Sequence, residues 1–154
     1  MNIKRYFATM GLATALTFGA AGNVYAEPAV ATASDMGPVD MVDPNELYLL
    51  AHLLCGEVQT GSWETQIAVG SVVLNRVADL SYPDTLRGVI YQRGQYACTW
   101  DGNFDRTPTD RNWAVARYLL ENGSQIPANV VYQAQFRQGH GVYGKFGREI
   151  LCYK

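Results

Sequence analysis

The most restrictive feature of the sequence is the segment WETQIAVGSVVLNRVA, residues 63–78, which is apolar nearly all round at its centre. A segment of this kind predicts a buried helix, because it offers no polar face to water. Gly70 in its middle costs about 1 kcal/mol relative to Ala, so we expect another backbone to approach closely there. The preceding Thr60-Gly61-Ser62 breaks the helical pattern, and Ser62 or Thr60 is the expected N-cap.

A second helix is predicted just upstream, where Asp43-Pro44-Asn45-Glu46 has the residues typical of a helix start. Asp43 is the expected N-cap, followed by Pro44 at the first helical position and Glu46 as in a capping box. The helix runs to about Val58. At about 100° per residue its apolar side chains share one broad arc, made of Leu47, Leu49, Leu50, Ala51, Leu53, Leu54 and Val58.

Glu57 falls between Leu50 and Leu53 in this arc, so helical phase does not place it on a solvated face. Burial disfavours the charged form of a carboxyl group and raises its pKa. A glutamic acid that stays protonated near neutral pH can donate a proton as a general acid. The alternative is a carboxylate near a helix end that reaches water or pairs with Arg76 or Arg117.

The rest of the sequence predicts one more long helix and two strands. The expected segments are a turn at 81–84, a short helix or irregular segment at 85–91, a loop at 92–103, a helix at 111–121, a strand at 130–136, a long hairpin loop at 138–148 and a returning strand at 149–153. The fold class is therefore α+β, with helices first and a small antiparallel sheet last. About 110 residues suffice for one domain with one core.

The N-terminus has the layout of a secretory signal peptide. Lys4 and Arg5 precede the apolar stretch GLATALTFGAAG, and Val24-Tyr25-Ala26 provides a small-x-small cleavage site. We therefore expect a signal peptide at 1–26, an uncleaved anchor being the alternative, a flexible lead-in at 27–42 and the folded domain at 43–154. This layout predicts a secreted protein.

Charge and length restrict the partners. The chain has 14 acidic and 12 basic residues, and loss of Lys4 and Arg5 with the signal peptide leaves 10 basic residues and a net charge of −4. Without a basic run, neither nucleic acid nor an anionic membrane surface is an expected partner. No later segment is long enough to span a membrane, and we expect a monomer.

Three cysteines, Cys55, Cys98 and Cys152, occur in a chain expected to be exported. One disulfide and one free thiol is the simple expectation, and the sequence does not choose among the three pairings. There is no CxxC motif, and His52 and His140 are far apart. We therefore expect no metal site and no cofactor.

The string LCGEVQTGSWETQIAVGSVVLNRV, residues 54–77, resembles the opening of the spore cortex-lytic, SleB-type cell wall hydrolase family. That family has roughly E-x-R-G-E followed by G-Q-x-A-V-A-x-V-x-L-N-R-V. Shorter matches follow in order, and the resemblance covers about residues 46–154. They are Tyr82-Pro83-Asp84-Thr85 with Gly88-Val89-Ile90-Tyr91, Gly94-Gln95-Tyr96-Ala97-Cys98, Trp100-Asp101-Gly102 and Cys152-Tyr153-Lys154.

The resemblance implies a lysozyme-like domain that cleaves peptidoglycan glycan strands between N-acetylmuramic acid and N-acetylglucosamine. It places the catalytic glutamate on Glu57 and implies a lytic transglycosylase, in which one carboxyl acts as acid and then as base. The implied location is the cell wall or spore cortex. The chain departs from the pattern at Gln59, where the family has Arg, and at Gly61, where it has a second Glu. These departures affect the expected positioning of the substrate.

The loop at 95–101 is a second candidate site. Tyr96 and Trp100 could stack on sugar faces, while Gln95 and Asp101 could bind hydroxyl or N-acetyl groups, a combination common in ligand sites. The alternative is that Tyr96 and Trp100 are core anchors and that Asp101 only forms a turn.

Three further residues are candidates for the walls of the same cleft. Asn75 and Arg76 follow one another on the predicted buried helix, and Tyr132 lies on the first predicted strand. Asn75 and Tyr132 are predicted to bind substrate. Arg76 has the equal alternative of pairing with a carboxylate such as Asp79.

Two other functions are compatible with the residues. Cys98 followed by a distant His140 suggests a cysteine peptidase or amidase of peptidoglycan stems, although a disulfide at Cys98 would remove the nucleophile. A non-catalytic wall-binding module is the other alternative, and it predicts that Glu57 is dispensable.

Overall fold

The computed structural model describes residues 42–154. The predicted signal peptide and all of the lead-in except Val42 lie outside the described residues. The helices are Pro44–Val58 (α1), Trp63–Ala78 (α2), Leu86–Ile90 (α3), Cys98–Asp101 (α4) and Asp110–Asn122 (α5), with a 3-10 turn at Asn103–Asp105. The strands are Val130–Ala134 (β1), Val142–Phe146 (β2) and Glu149–Tyr153 (β3). Within this part of the chain, none of the helices has the length and hydrophobicity needed to cross a membrane.

The two leading helices start and end where the sequence indicates. The carboxylate of Asp43 caps α1 by accepting a hydrogen bond from the N–H of Asn45 at 2.8 Å. The hydroxyl of Ser62 caps α2 by accepting from the N–H of Thr65 at 3.2 Å. Because only residues 59–62 connect the helices, the end of α1 lies near the start of α2.

α2 is buried because it lies between two apolar clusters. Val69 and Val73 belong to the larger cluster, which α2 shares with α1, α3 and α5. Ala68 and Val72 belong to a smaller cluster under the sheet, together with Leu151 of β3 and Val130 of β1. The all-round apolar character of α2 is therefore explained by the burial of both of its sides.

Gly70 lets α5 approach α2, but not by the predicted means. A Cβ atom on Gly70 would lie 2.4 Å from Cδ1 of Leu119 on α5. The close contact is therefore with a side chain, and the expectation of another backbone is wrong. α5 is held at its own start by Thr109 and Asn112, which form a reciprocal capping box.

The sheet has three strands in the order β1-β3-β2, and both pairings are antiparallel. The segment 138–148 was predicted as a hairpin loop, whereas residues 142–146 within it form β2. Its glycines hide the alternation by which a strand is recognised, since they carry no side chain to alternate. Gly147, with φ of +61°, makes the tight turn from β2 into β3.

The three cysteines are all free and buried, so the expected disulfide is not formed. They lie on α1, α4 and β3, and each sulfur contacts other groups. Sγ of Cys55 lies 3.4 Å from the carbonyl oxygen of Thr107, and Sγ of Cys152 accepts from the N–H of Gln138 at 3.4 Å. The predicted loop at 92–103 also differs, because α4 lies within it.

Candidate active site

An open cleft of about 760 Å³ lies between the helical part and the sheet. One wall is the end of α1 with the start of α2, and the other is the β2–β3 hairpin with the end of β1. The lining residues are Glu57, Val58, Thr60, Gly61, Ser62, Thr65, Gln135, Phe146, Gly147, Arg148 and Glu149. Glu57, the predicted general acid, therefore lies on the wall of a space large enough for a ligand.

Glu57 is partly buried in the last turn of α1, and its pKa is raised. Burial is the largest cause, because removal of water disfavours the carboxylate. Hydrogen bonds from the thiol and the backbone of Cys98 act in the opposite direction, while the negative charges of Glu149 and Asp101 raise the pKa further. The direction of the shift is the one that helical phase predicts.

The alternative explanation of Glu57, an ion pair with Arg76 or Arg117, is not found. Within residues 42–154, the one carboxylate–cation pair closer than 4 Å joins Asp79 to Lys154, at 2.7 Å. Glu57 is thus a partly desolvated carboxyl that has no basic partner among residues 42–154 to hold it ionised.

Gly56 brings Cys98 to Glu57. A Cβ atom on Gly56 would lie 2.5 Å from Cβ and 3.0 Å from Sγ of Cys98. Because glycine has no such atom, the start of α4 packs directly against α1. The neighbouring position on α1 is Glu57, so this contact sets one side of the carboxyl's environment.

Glu149 provides a second carboxyl on the opposite wall. It is the first residue of β3, directly after the turn at Gly147-Arg148. Its Oε2 accepts a hydrogen bond from Nε2 of Gln133 on β1 at 3.3 Å. Oε1 of Gln133 is buried and accepts no hydrogen bond from the described residues. If the amide of Gln133 were reversed, its Oε1 would face the carboxylate of Glu149, and two acceptors would oppose each other. The present orientation therefore lets Gln133 donate a hydrogen bond to Glu149.

A model of the family described as Cell Wall Hydrolase matches residues 61–140 of this chain. This chain belongs to the cell wall hydrolase family. The matched range covers slightly more than half of the 154 residues and begins just after Glu57. The match does not include Glu57, so the assignment of Glu57 as the general acid rests on the geometry of the cleft.

The hydrolase also resembles curated proteins. It is 35% identical over 90 residues to the spore cortex-lytic enzyme of Bacillus cereus, which covers 57% of this chain and 34% of that protein. It is 34% identical over 67 residues to the spore cortex-lytic enzyme of Oceanobacillus iheyensis, covering 44% of this chain and 24% of that protein. The chain thus spans about a third or less of the length of these relatives.

Two solved structures have the same fold as the hydrolase. The catalytic domain of the Bacillus cereus SleB protein gives a TM-score of 0.63 at 24% identity, over 73% of this chain and 93% of that one. The catalytic domain of the germination-specific lytic transglycosylase SleB from Bacillus anthracis gives 0.63 at 23% identity, over 75% and 99%. The predicted α+β class, with helices and a small antiparallel sheet, is confirmed.

The two departures from the family pattern lie beside the cleft of the hydrolase. The side chain of Gln59 donates to the carbonyl oxygen of Thr107 at 3.3 Å and accepts from the guanidinium of Arg106. Arg106, from a different part of the chain, therefore provides the positive charge near this position. The carbonyl oxygen of Gly61 accepts from Arg111 of α5 at 3.1 Å, so α5 helps to fix the α1–α2 connection.

The structure places the loop at 95–101 away from the lining of the cleft. Tyr96 is 3% exposed, and its hydroxyl accepts from Nη1 of Arg76 at 3.1 Å. Burial raises the pKa of Tyr96 to about 12. Its predicted stacking on a sugar is inconsistent with this burial. Asp101 accepts from the backbone and side chain of Asn103, as in a turn.

Gln95 and Trp100 have exposed side chains, and Trp100 is 61% exposed. Neither lines the cleft of the hydrolase. The predicted roles of Gln95, Trp100 and Asp101 in substrate binding stay predictions. They concern a part of the surface outside the cleft.

Asn75 holds the sheet to α2 and does not reach the cleft. Its Nδ2 donates to the carbonyl oxygens of Pro127 at 2.8 Å and Val130 at 2.9 Å. Its predicted contact with substrate is inconsistent with this buried position. Tyr132, on β1, is partly buried and also lies outside the cleft lining.

Arg76, like Asn75, attaches the sheet to α2. Its Nε donates to the carbonyl oxygen of Val131 at 2.7 Å, and its guanidinium lies over the rings of Tyr82 and Tyr96. The suggested pair with Asp79 is not formed, because Asp79 binds Lys154.

The surroundings of Cys98 oppose its use as a nucleophile. A reactive cysteine needs a lowered pKa, whereas burial and the carboxyl of Glu57 raise the pKa of Cys98. His140 is exposed in the connection before β2. Among the described residues, no group of three or more His, Cys, Asp or Glu side chains is placed to hold a metal ion.

The opposite wall of the cleft was missed by the sequence reasoning. Glu149 was assigned correctly to the last strand, but its position facing Glu57 depends on β2, which was not recognised. The glycine turn followed by a charged pair, Gly147-Arg148-Glu149, was the available signal for a hairpin end.

Proposed function

We propose that this hydrolase cleaves peptidoglycan glycan strands between N-acetylmuramic acid and N-acetylglucosamine, as a lytic transglycosylase. The observation that carries the proposal is a partly buried carboxyl with a raised pKa, Glu57, on the wall of an open cleft. Membership of the cell wall hydrolase family supports the substrate class. The lytic transglycosylase activity named for the Bacillus anthracis structure supports the reaction type.

In this mechanism Glu57 acts twice. The protonated carboxyl donates its proton to the glycosidic oxygen as the bond from C1 of the muramoyl unit to that oxygen breaks. The glucosaminyl product leaves with a free hydroxyl group. The muramoyl 6-hydroxyl then attacks C1, and the Glu57 carboxylate accepts its proton. The acid is regenerated, no water is consumed, and the product is a 1,6-anhydro sugar.

Replacement of Glu57 tests this proposal. We expect Glu57→Gln to lower the release of glycan fragments from purified sacculi by at least about 100-fold, because an amide cannot transfer the proton. Glu121→Gln is the matched control, since Glu121 is exposed on α5 and lines no part of the cleft. Mass spectrometry of the released fragments, from spore cortex and from vegetative walls, identifies both bond and product.

Each outcome of that experiment is informative. Anhydro-muramoyl ends that disappear in Glu57→Gln support the proposal. Reducing muramoyl ends would instead show hydrolysis by water. New peptide ends that are lost in Cys98→Ser would favour the peptidase. Wall binding by the parent protein without any cleavage would favour the binding module.

We also propose that the hydrolase acts outside the cytoplasm, with residues 1–26 as its signal peptide and 43–154 as its catalytic domain. The motif in residues 1–26 supports export. N-terminal sequencing of the exported protein should begin at Glu27. Recovery of the intact N-terminus in the membrane fraction would show an uncleaved anchor instead.

A further inference from the structure

A second, smaller space adjoins the cleft. This groove, of about 240 Å³, lies between the start of α2, α5 and β2. Phe146 lines both the groove and the cleft. On α2, Ser62 and Thr65 face the cleft while Trp63 and Glu64 face the groove. The groove therefore adjoins the cleft at Phe146.

Aromatic rings form both sides of the groove. Trp63 and Tyr118 are 41% and 37% exposed and contact each other with ring centroids 6.0 Å apart. On the opposite side, the rings of Tyr143 and Phe146 are stacked at 6.2 Å. Such surfaces suit a ligand with apolar faces and polar edges.

The polar groups of the groove indicate a ligand without negative charge. Glu64 is exposed, and hydrogen bonds at the start of α2 lower its pKa, so it is ionised at neutral pH. No lysine or arginine lines the groove. A negatively charged group would meet only a like charge there. Of the two sugars of the strand, N-acetylglucosamine is neutral, whereas a muramoyl unit without its peptide carries a lactyl carboxylate, so the groove suits N-acetylglucosamine.

We propose that the groove binds one sugar ring of the same glycan strand, beyond the bond that the cleft holds. This inference rests on the proposed function. The volume agrees with a single ring, because sites that enclose a whole small ligand measure about 300–1,000 Å³. A polymer must leave the cleft on at least one side, and the groove is the adjoining space on the side of Phe146.

Binding experiments in an inactive background test this proposal. In the Glu57→Gln protein, we expect Trp63→Ala and Tyr118→Ala each to weaken binding of peptide-free glycan strands about tenfold, which corresponds to ~1.4 kcal/mol. Binding of a single disaccharide should not change. Tyr91→Ala is the matched control, since Tyr91 is similarly exposed but lines neither space. Trp63→Phe keeps an aromatic ring, so it should retain most of the affinity for glycan strands.

The outcomes separate this proposal from the proposed function. Equal strand affinity in the groove variants, with thermal unfolding unchanged, would overturn it, and so would binding of free stem peptides at the groove. Sedimentation showing a dimer that Trp63→Ala dissociates would assign the groove to a second copy of the chain. If the parent protein cleaves no glycan, the proposed function fails, yet the same binding assay still decides the inference.

Discussion

At the scale of the residue, the main result is the environment of Glu57. The helical periodicity of the 15-residue α1 suffices to place Glu57 among leucines, so its burial was predictable from the sequence. Its other neighbours were not, because Cys98 and Glu149 reach it through packing between distant segments. Periodicity describes one element and contains no information about which element lies opposite.

The charge of Glu149 should set the pH range of the enzyme. In the proposed mechanism cleavage begins with protonated Glu57, so activity should fall as the pH rises through its pKa. Glu149→Gln removes a negative charge that raises this pKa, so the alkaline limb of kcat/KM should move to lower pH. Asp101→Asn should move it the same way by less, and Glu121→Gln should leave it in place. An alkaline limb that is unmoved or moves to higher pH in Glu149→Gln would contradict this coupling.

At the scale of the element, the sequence predicted helices well and the sheet poorly. α1 and α2 carry strong start signals and long apolar patterns, and both are found with the expected bounds. β2 has neither, since Gly144 carries no side chain and exposed and partly buried residues do not alternate along the strand. The strand forms because β3 offers a paired edge, which is a tertiary cause.

The contact between α1 and α4 should be sensitive to one methyl group. Gly56→Ala places a Cβ atom against Cβ of Cys98, so we expect a loss of stability of about 1–3 kcal/mol. Activity per folded molecule should also fall, because α4 would move away from Glu57. Chemical unfolding and initial rates on sacculi measure the two effects.

Gly70→Ala is the matched control for that change. It introduces the same methyl group into a helix, but the contact is with the side chain of Leu119, away from the cleft. It should cost stability and leave the activity of the folded protein near that of the parent. Equal losses of activity in both variants would indicate that the α1–α4 contact has no special role.

At the scale of the whole molecule, the cleft joins two parts that have separate apolar clusters. The helical part carries Glu57 and the sheet carries Glu149, and α2 contributes to both clusters. The buried polar side chains of Asn75 and Arg76 attach β1 to α2. A consecutive Asn and Arg on a buried helix was noticed in the sequence, but their partners are backbone carbonyls, which no side-chain pattern reveals.

Loss of this attachment should loosen the cleft as a whole. Asn75→Ala removes the side-chain donor to the carbonyl oxygen of buried Val130 and one of the two donors to that of Pro127, at a cost of about 1–3 kcal/mol. Amide hydrogen exchange should accelerate first in β1 and β3, and cleavage should weaken with it. Asn129→Ala, at an exposed position beside the same strand, should change neither. If amide exchange accelerated equally in all the helices, the hydrogen bonds of Asn75 would not act as a local attachment of β1 to α2.

The two walls of the cleft lie far apart along the chain, at Glu57 in the first described helix and Glu149 in the last strand. A growing polypeptide therefore has its glutamate long before it has the hairpin that faces it. Until β3 has been synthesised and paired, that side chain lacks the opposite wall of the cleft and the negative charge of Glu149 that helps to raise its pKa. A nascent or unfolded chain therefore has only one wall of the cleft until the hairpin has folded against α1 and α2.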